Sequence, residues 1–205
     1  MLVKNGHTPP GKQQFSHELD LERSTPAACG GTCDNDEVSS CTVFTFKEGV
    51  LSAIAHDLKL RVATLDVKVT GDTEIVATFD ARSLRVVCAQ KNGTDDTGAL
   101  SASDRQKIEE TIAKDVLESR RFPEIRFAST AVERSHGGDT YLVRGDLTLH
   151  GVTRSISFTA RTEGALRVAE VTLHQPDFGI TPYRAMLGAL KLRPDVRVRV
   201  EVSAP

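Results

Sequence analysis

The run Val196-Arg197-Val198-Arg199-Val200-Glu201-Val202 decides how this chain is read. Every second residue is valine and every residue between is charged, the period of a strand with one dry face and one wet face. The same alternation recurs upstream. In 141–149, Tyr141, Val143, Leu147 and Leu149 oppose Arg144, Asp146 and Thr148, and next to it Ile156 and Phe158 alternate with Ser155, Ser157 and Thr159. In 74–81, Ile75, Ala77, Phe79 and Ala81 oppose Glu74, Thr78 and Asp80. Thr42-Val43-Phe44-Thr45-Phe46 is the first run of this kind, and 51–62, 63–70, 124–133 and 166–174 are further strand candidates. Turn residues separate them at Gly71-Asp72, Gly137-Gly138-Asp139, Gly151 and Gly164.

One segment has a different period. Ile108, Ile112 and Val116 recur every four residues, with Lys107, Glu109, Glu110 and Lys114 on the opposite face. Ser103 and Gln106 have the spacing of a capping box, and Arg120 and Arg121 follow the last turn, where cations are favoured. Eight or nine strands around one amphipathic helix predict an all-β domain, a closed antiparallel β-barrel of about eight strands, because closure removes exposed edges. The pattern fits a β-sandwich too. It does not say whether a barrel interior is filled by side chains or holds a ligand.

Residues 1–40 carry no sustained period and hold Pro9-Pro10-Gly11, Pro26 and Gly30-Gly31, which predicts a flexible N-terminal tail before a domain at 41–205. The chain has 205 residues, with 26 Lys and Arg against 28 Asp and Glu. A net charge of -2 gives no overall field toward nucleic acid or an anionic membrane. No apolar run is long enough for a transmembrane helix. The first 25 residues are charged and polar, and Pro26-Ala27-Ala28-Cys29 lacks the apolar stretch of a lipoprotein signal, so the expected compartment is the cytoplasm, with reduced cysteines.

Catalytic signatures are missing. There is no Gly-x-Ser-x-Gly elbow, no His-Glu-x-x-His pair and no phosphate-cradling glycine loop, and the chain reads as a non-enzyme without a cofactor. Cys29, Cys33 and Cys41 with His7 or His17 are the one metal lead, but no second close pair completes a zinc pattern, so no metal is expected. Acidic neighbours Asp34, Asp36 and Glu37 argue against a redox pair at Cys29 and Cys33. Cys88 reads as a loop thiol, and 91–96 as a solvated loop without the spacing of a calcium site.

Four stretches in order carry a family resemblance: Phe79-Asp80-Ala81-Arg82-Ser83-Leu84, Arg121-Phe122-Pro123-Glu124-Ile125-Arg126-Phe127-Ala128-Ser129-Thr130, Gly145-Asp146-Leu147-Thr148-Leu149-His150-Gly151-Val152-Thr153-Arg154, and Asp177-Phe178-Gly179-Ile180. Over roughly residues 42 to 203 the chain resembles the YceI-like, lipocalin-like polyisoprenoid-binding proteins. The resemblance implies an eight-stranded barrel with a helix near one end. Its apolar tunnel would carry, without chemistry, a polyisoprenoid, an isoprenoid quinone or a fatty-acyl amide. Members of that family are often periplasmic and many are dimers, so a homodimer is a partner to consider beside the apolar ligand.

For such a tunnel the lining candidates are the inward-alternating Phe79, Leu84, Phe127, Leu147 and Phe158, with Phe122, Phe178, Tyr183, Met186 and Leu187 near the rims. The alternative is that these side chains fill a ligand-free core and the protein acts as an interaction module through its tail or loops. Tyr183-Arg184-Ala185-Met186-Leu187-Gly188-Ala189-Leu190 reads either as a portal or as a segment packed on the barrel end. His56, after Ala53-Ile54-Ala55, could hydrogen-bond a ligand head group, or serve as an ordinary structural or exposed histidine. Asp57 beside it would point to the other face of a strand.

Overall fold

The computed structural model describes residues 39–48, 56–71, 73–185 and 190–203. Cys29, Cys33, His7, His17, Met186 and Leu187, and the proposed tail up to residue 38, lie outside the described residues.

The first half holds strands β1 (Ser39–Thr45), β2 (Lys47–Glu48), β3 (Asp57–Val62), β4 (Leu65–Thr70), β5 (Glu74–Asp80), β6 (Leu84–Lys91) and β7 (Thr94–Asp96). Helix α1 (Ala102–Thr111) follows and continues as one π-helical turn over Ile112–Val116. Then come β8 (Glu124–Arg134), β9 (Thr140–Leu149), β10 (Val152–Glu163) and β11 (Leu166–His174). A 3-10 turn at Gln175–Phe178 leads to β12 (Arg184–Ala185), β13 (Leu190–Leu192) and β14 (Asp195–Ser203). Among the described residues no helix is long and apolar enough to cross a membrane.

Eleven strands form one sheet in the order β4-β5-β8-β9-β10-β11-β14-β1-β3-β6-β7, and β12-β13-β2 form a small second sheet. The count exceeds the expected eight because two long strands are each broken by a bend and the short β7 adds one more beside β6. Only Ala63 and Thr64 separate β3 from β4, and only the 3-10 turn Ala81–Ser83 separates β5 from β6. Hydrogen bonds cross the break: Ala63 N–H donates to the Ser83 carbonyl at 3.1 Å and Asp80 N–H to the Thr64 carbonyl at 3.0 Å. The Thr64 N–H also donates to Ser83 Oγ at 2.9 Å. The result is one long bent hairpin. Its β4–β5 half joins the sheet through β8 and its β3–β6 half joins through β1. A single sheet whose two ends share one hairpin has to curl, which is not the arrangement of a sandwich of two stacked sheets.

Strand assignment follows the alternation. Val196, Val198, Val200 and Val202 face inward, while Arg199 lies outside and bonds Glu163, Glu170 and Glu201 across β10, β11 and β14. The β9–β10 turn is a two-residue loop with both φ angles positive, His150 at 52° and Gly151 at 74°. That is the geometry of a tight hairpin matching the twist of its strands, and glycine adopts it without penalty.

Three expectations need correction. The helix cap is Ser101, not Ser103: Ser101 Oγ accepts from Asp104 N–H at 3.1 Å while the Asp104 carboxylate accepts from Ser101 N–H at 3.2 Å. Aspartate at the third position closes this box as glutamate or glutamine would. Cys88 is not on a loop but buried in β6, and 91–96 forms the β6–β7 hairpin, where Asp95 binds Lys59 at 2.8 Å and Gln90 at 2.9 Å.

Candidate functional site

Inside the curled sheet is a cavity of about 540 Å³. Its wall is built from inward positions of the main strands, such as Val43 and Leu60 on one side and Val143, Phe158 and Val171 across from them. The period of two makes this wall: the inward faces of the strands are mostly apolar, and polar or charged members such as Thr45 and Arg167 stand toward its ends. Leu60, Val143 and Val168 are the largest side chains sealed completely from water.

Helix α1 completes the wall. Ile108 and Ile112 face in, and the π turn carries Val116 and Leu117 inward as well, with Leu117 N–H donating to the Ile112 carbonyl at 2.8 Å. Glu109 anchors the helix to the sheet by accepting the Val86 N–H at 2.7 Å. A four-residue spacing marked this face, but its role as a cavity wall was not read from it. The valines of β14 likewise alternate legibly, yet they join the lining beyond the aromatic residues singled out above.

Seven of the eleven candidate residues, His56, Phe79, Leu84, Phe127, Leu147, Phe158 and Tyr183, lie on the cavity wall. Phe122 and Phe178 do not. The Phe122 ring lies against His150, centroids 4.4 Å apart, beneath the β9–β10 turn. Phe178 is buried in the packed core, and its carbonyl lies 3.3 Å from His150 Nδ1. Both therefore brace the hairpin end instead of lining the cavity.

His56 also needs correction: it precedes β3, is exposed, and shares no strand with Asp57. Asp57 is occupied otherwise, its carboxylate accepting the Lys47 N–H at 2.8 Å. Wall residues that are also exposed mark the mouth, and these are His56 and Lys107. Thr45, Thr111, Gln175 and Tyr183 are the other polar members on the strands and segments at this end. Thr45 Oγ1 is buried with no hydrogen-bond partner among the described residues. At the opposite end the wall includes Arg167 and Tyr141, whose ring lies 5.2 Å from the Arg167 guanidinium and 5.7 Å from that of Arg134.

The chemistry available here is sparse. Cys41 faces the cavity, and burial pushes its thiol up to about 12, away from the reactive thiolate. Among the described residues no three His, Cys, Asp or Glu side chains come together as a metal site. Such a wall can exclude water and hold hydrocarbon, with hydrogen-bonding groups only near its ends.

Residues 35–204 match the YceI-like domain family. A UPF0312 protein of Pseudomonas putida (strain W619) is 36% identical over 94 residues, which is 41% of this chain and 48% of that protein. A UPF0312 protein of Pseudomonas syringae pv. tomato is 41% identical over 68 residues, 33% of this chain and 35% of its own. These matches span about half or less of the curated relatives' length. Among solved structures, Burkholderia cenocepacia BcnA superposes with a TM-score of 0.58 at 15% identity, over 82% of this chain and 96% of that one. A polyisoprenoid binding domain from Saccharophagus degradans gives 0.53 at 15% identity, over 82% and 94%. Campylobacter jejuni YceI protein gives 0.55 at 14% identity, over 73% and 85%. At such identities the likeness is one of fold, and together with the match over most of its length it means that this chain belongs to the YceI-like domain family.

Proposed function

We propose that this protein binds and carries one long apolar molecule, such as a polyisoprenoid, an isoprenoid quinone or a fatty-acyl amide, inside a closed barrel and without covalent chemistry. Counting β3–β4 and β5–β6 each as one bent strand, the ring is β1, β3–β4, β5–β6, β8, β9, β10, β11 and β14, the eight of a lipocalin-sized barrel. The observation that carries the reading is the cavity itself. A cavity of about 540 Å³ walled mostly by apolar groups offers water few partners, and leaving it without an apolar occupant forfeits packing contacts. The volume falls within the roughly 300–1,000 Å³ of ligand pockets. Each ligand methylene taken from water into such a wall contributes roughly 0.8 kcal/mol, so chain length sets affinity. The Saccharophagus degradans neighbour, a polyisoprenoid binding domain, points the same way.

Native mass spectrometry of the purified protein, followed by organic extraction, tests this. The expected result is one hydrocarbon-chain molecule per barrel, released on unfolding. A clean apo mass, together with no uptake of the fluorescent fatty acid cis-parinaric acid, would exclude the carrier reading.

A further inference from the structure

We propose that the rim of the cavity mouth, made by β2, β12, β13, the start of β14 and the end of β1, is a docking surface for an anionic lipid bilayer. Five cations gather there: Lys47 on β2, Arg184 on β12, Lys191 on β13, Arg193 just after it, and Arg197 on β14. They stand beside the mouth by direct bonding. Leu192, on the cavity wall, donates its N–H to the carbonyl of Tyr183, also on the wall, at 3.1 Å. Arg193 N–H donates to the Phe46 carbonyl at 2.8 Å, and Gln175, again on the wall, donates from Nε2 to the Arg193 carbonyl at 3.2 Å.

The local electrostatics are lopsided although the whole chain has a net charge of only -2. Among the described residues Arg184, Lys191, Arg193 and Arg197 make no ion pair. Arg184 and Lys191 stand directly opposite each other in the β12–β13 ladder, a placement of like charges that weakens a strand pair. The carboxylates nearby are few. Glu48 faces Lys191 from β2, Asp57 accepts the Lys47 N–H, and Asp195 holds His174 at 2.6 Å. Like charges set opposite each other, as in the Arg184–Lys191 pair, are what an anionic partner would relieve.

Aromatic rings accompany the charges. Thr45 points into the cavity, so its neighbour Phe44 faces outward on β1; Phe44 and Phe46, the latter just after the strand, are only half-buried. The Arg197 guanidinium lies 4.9 Å from the Phe44 ring centre and 5.7 Å from that of Phe46, and Arg193 lies 6.0 Å from Phe46. Rings beneath guanidinium groups suit the headgroup level of a membrane, where the apolar body sits below and the charge meets phosphate. The choice of a bilayer over an acidic protein rests on the carrier reading above: a hydrocarbon cargo is stored in bilayers, and its exit from the cavity is through this rim.

The test is co-flotation of the full chain with vesicles of phosphatidylcholine alone, or with one third of the lipid replaced by phosphatidylglycerol. Each cation near an anionic surface strengthens binding roughly fivefold. The expected result is binding to the anionic vesicles only, abolished by half-molar salt. Arg193→Glu with Arg197→Glu should weaken it at least roughly 25-fold, the milder Arg193→Gln with Arg197→Gln should weaken it less, and the charge-matched control Lys68→Glu with Arg144→Glu on other strands should leave it in place. Equal binding to neutral vesicles, no binding to either, or loss matched by the control overturns the proposal; no binding to either leaves the rim to a protein partner. The glutamine pair and the salt titration of the unaltered chain keep the test decisive if the glutamate pair does not fold. Uptake of cis-parinaric acid is measured in parallel without vesicles. Its loss counts against the carrier reading, whereas failed flotation with intact uptake counts against docking alone.

Discussion

Gly145 shows how one missing side chain shapes the cavity. It is buried in β9 between the inward residues Val143 and Leu147, so a Cβ there would point toward the interior. That atom would lie 2.4 Å from the Ala128 carbonyl oxygen and 2.5 Å from Phe127 Cζ. The Phe127 ring therefore occupies the space over the glycine, tilted against Phe158 with centroids 5.4 Å apart. Gly145→Ala should destabilise the protein by about 1–3 kcal/mol, since backbone and ring must both move. It should also push Phe127 into the cavity and reduce uptake of cis-parinaric acid. Chemical unfolding checks the first effect and fluorescence the second; an alanine variant of unchanged stability would refute this packing. Residues of this kind divide what the sequence made legible from what it did not. Phe79, Phe127, Leu147 and Phe158 alternate in plain view, and they line the cavity. Phe122 and Phe178 share the same composition, but sit where the chain turns, and a turn sets side-chain direction through φ and ψ that no period encodes. His56 was misplaced for a related reason, because it lies one residue before the first ladder pair of β3.

Between elements, the outer face of the sheet is tied together by one guanidinium. Arg199 on β14 donates to Glu201 at 2.8 Å, to Glu170 on β11 at 2.9 Å and to Glu163 on β10 at 3.2 Å. Ser40 on β1 donates to the other oxygen of Glu201 at 3.0 Å. The bond from Arg199, and then that from Ser40, holds the Glu201 carboxyl below its ordinary value of 4.5. The unfolded chain then binds protons at higher pH than the folded one. This stability is complete above the ordinary glutamate value and is lost as pH falls through the lowered one. Arg199→Ala should cost roughly 1 kcal/mol at neutral pH, less in high salt, and should flatten the decline in stability between roughly pH 5 and 3. Urea unfolding at several pH values measures it, and an unaltered acid slope would remove Arg199 from the account. Charge alternation in 196–202 pointed to a wet face but not to this network, because a period of two does not say which strands lie side by side. The bends that split β3–β4 and β5–β6 were equally hidden: Ala63-Thr64 and Ala81-Arg82-Ser83 contain no glycine or proline to announce them.

For the molecule as a whole, an occupied cavity should govern stability. A ligand present at about 100 times its dissociation constant stabilises the folded state by roughly 2.7 kcal/mol, which for a chain of this size corresponds to about 5–10 °C in Tm. Calorimetry of the protein as purified, after delipidation, and after adding the extracted lipid back should show that fall and recovery. Identical melting in all three states would mean the cavity is not what holds the fold together. The all-β class, helix α1 and the mostly dry wall were legible from period alone, whereas the cavity was not, since a filled barrel and a hollow one share the same alternation. One further property follows from which strands are neighbours. β14 lies between β11 and β1, and the Ser40–Glu201 bond joins positions 161 apart in the chain. Such distant pairing makes for slow assembly, because loop closure has to precede the contacts that reward it. Until β14 is paired the sheet would thus remain an open, greasy trough, and the container would come into being only when β14 slots between its two neighbours. On the carrier reading, loading then coincides with folding itself, the cargo serving as the template around which β14 seats.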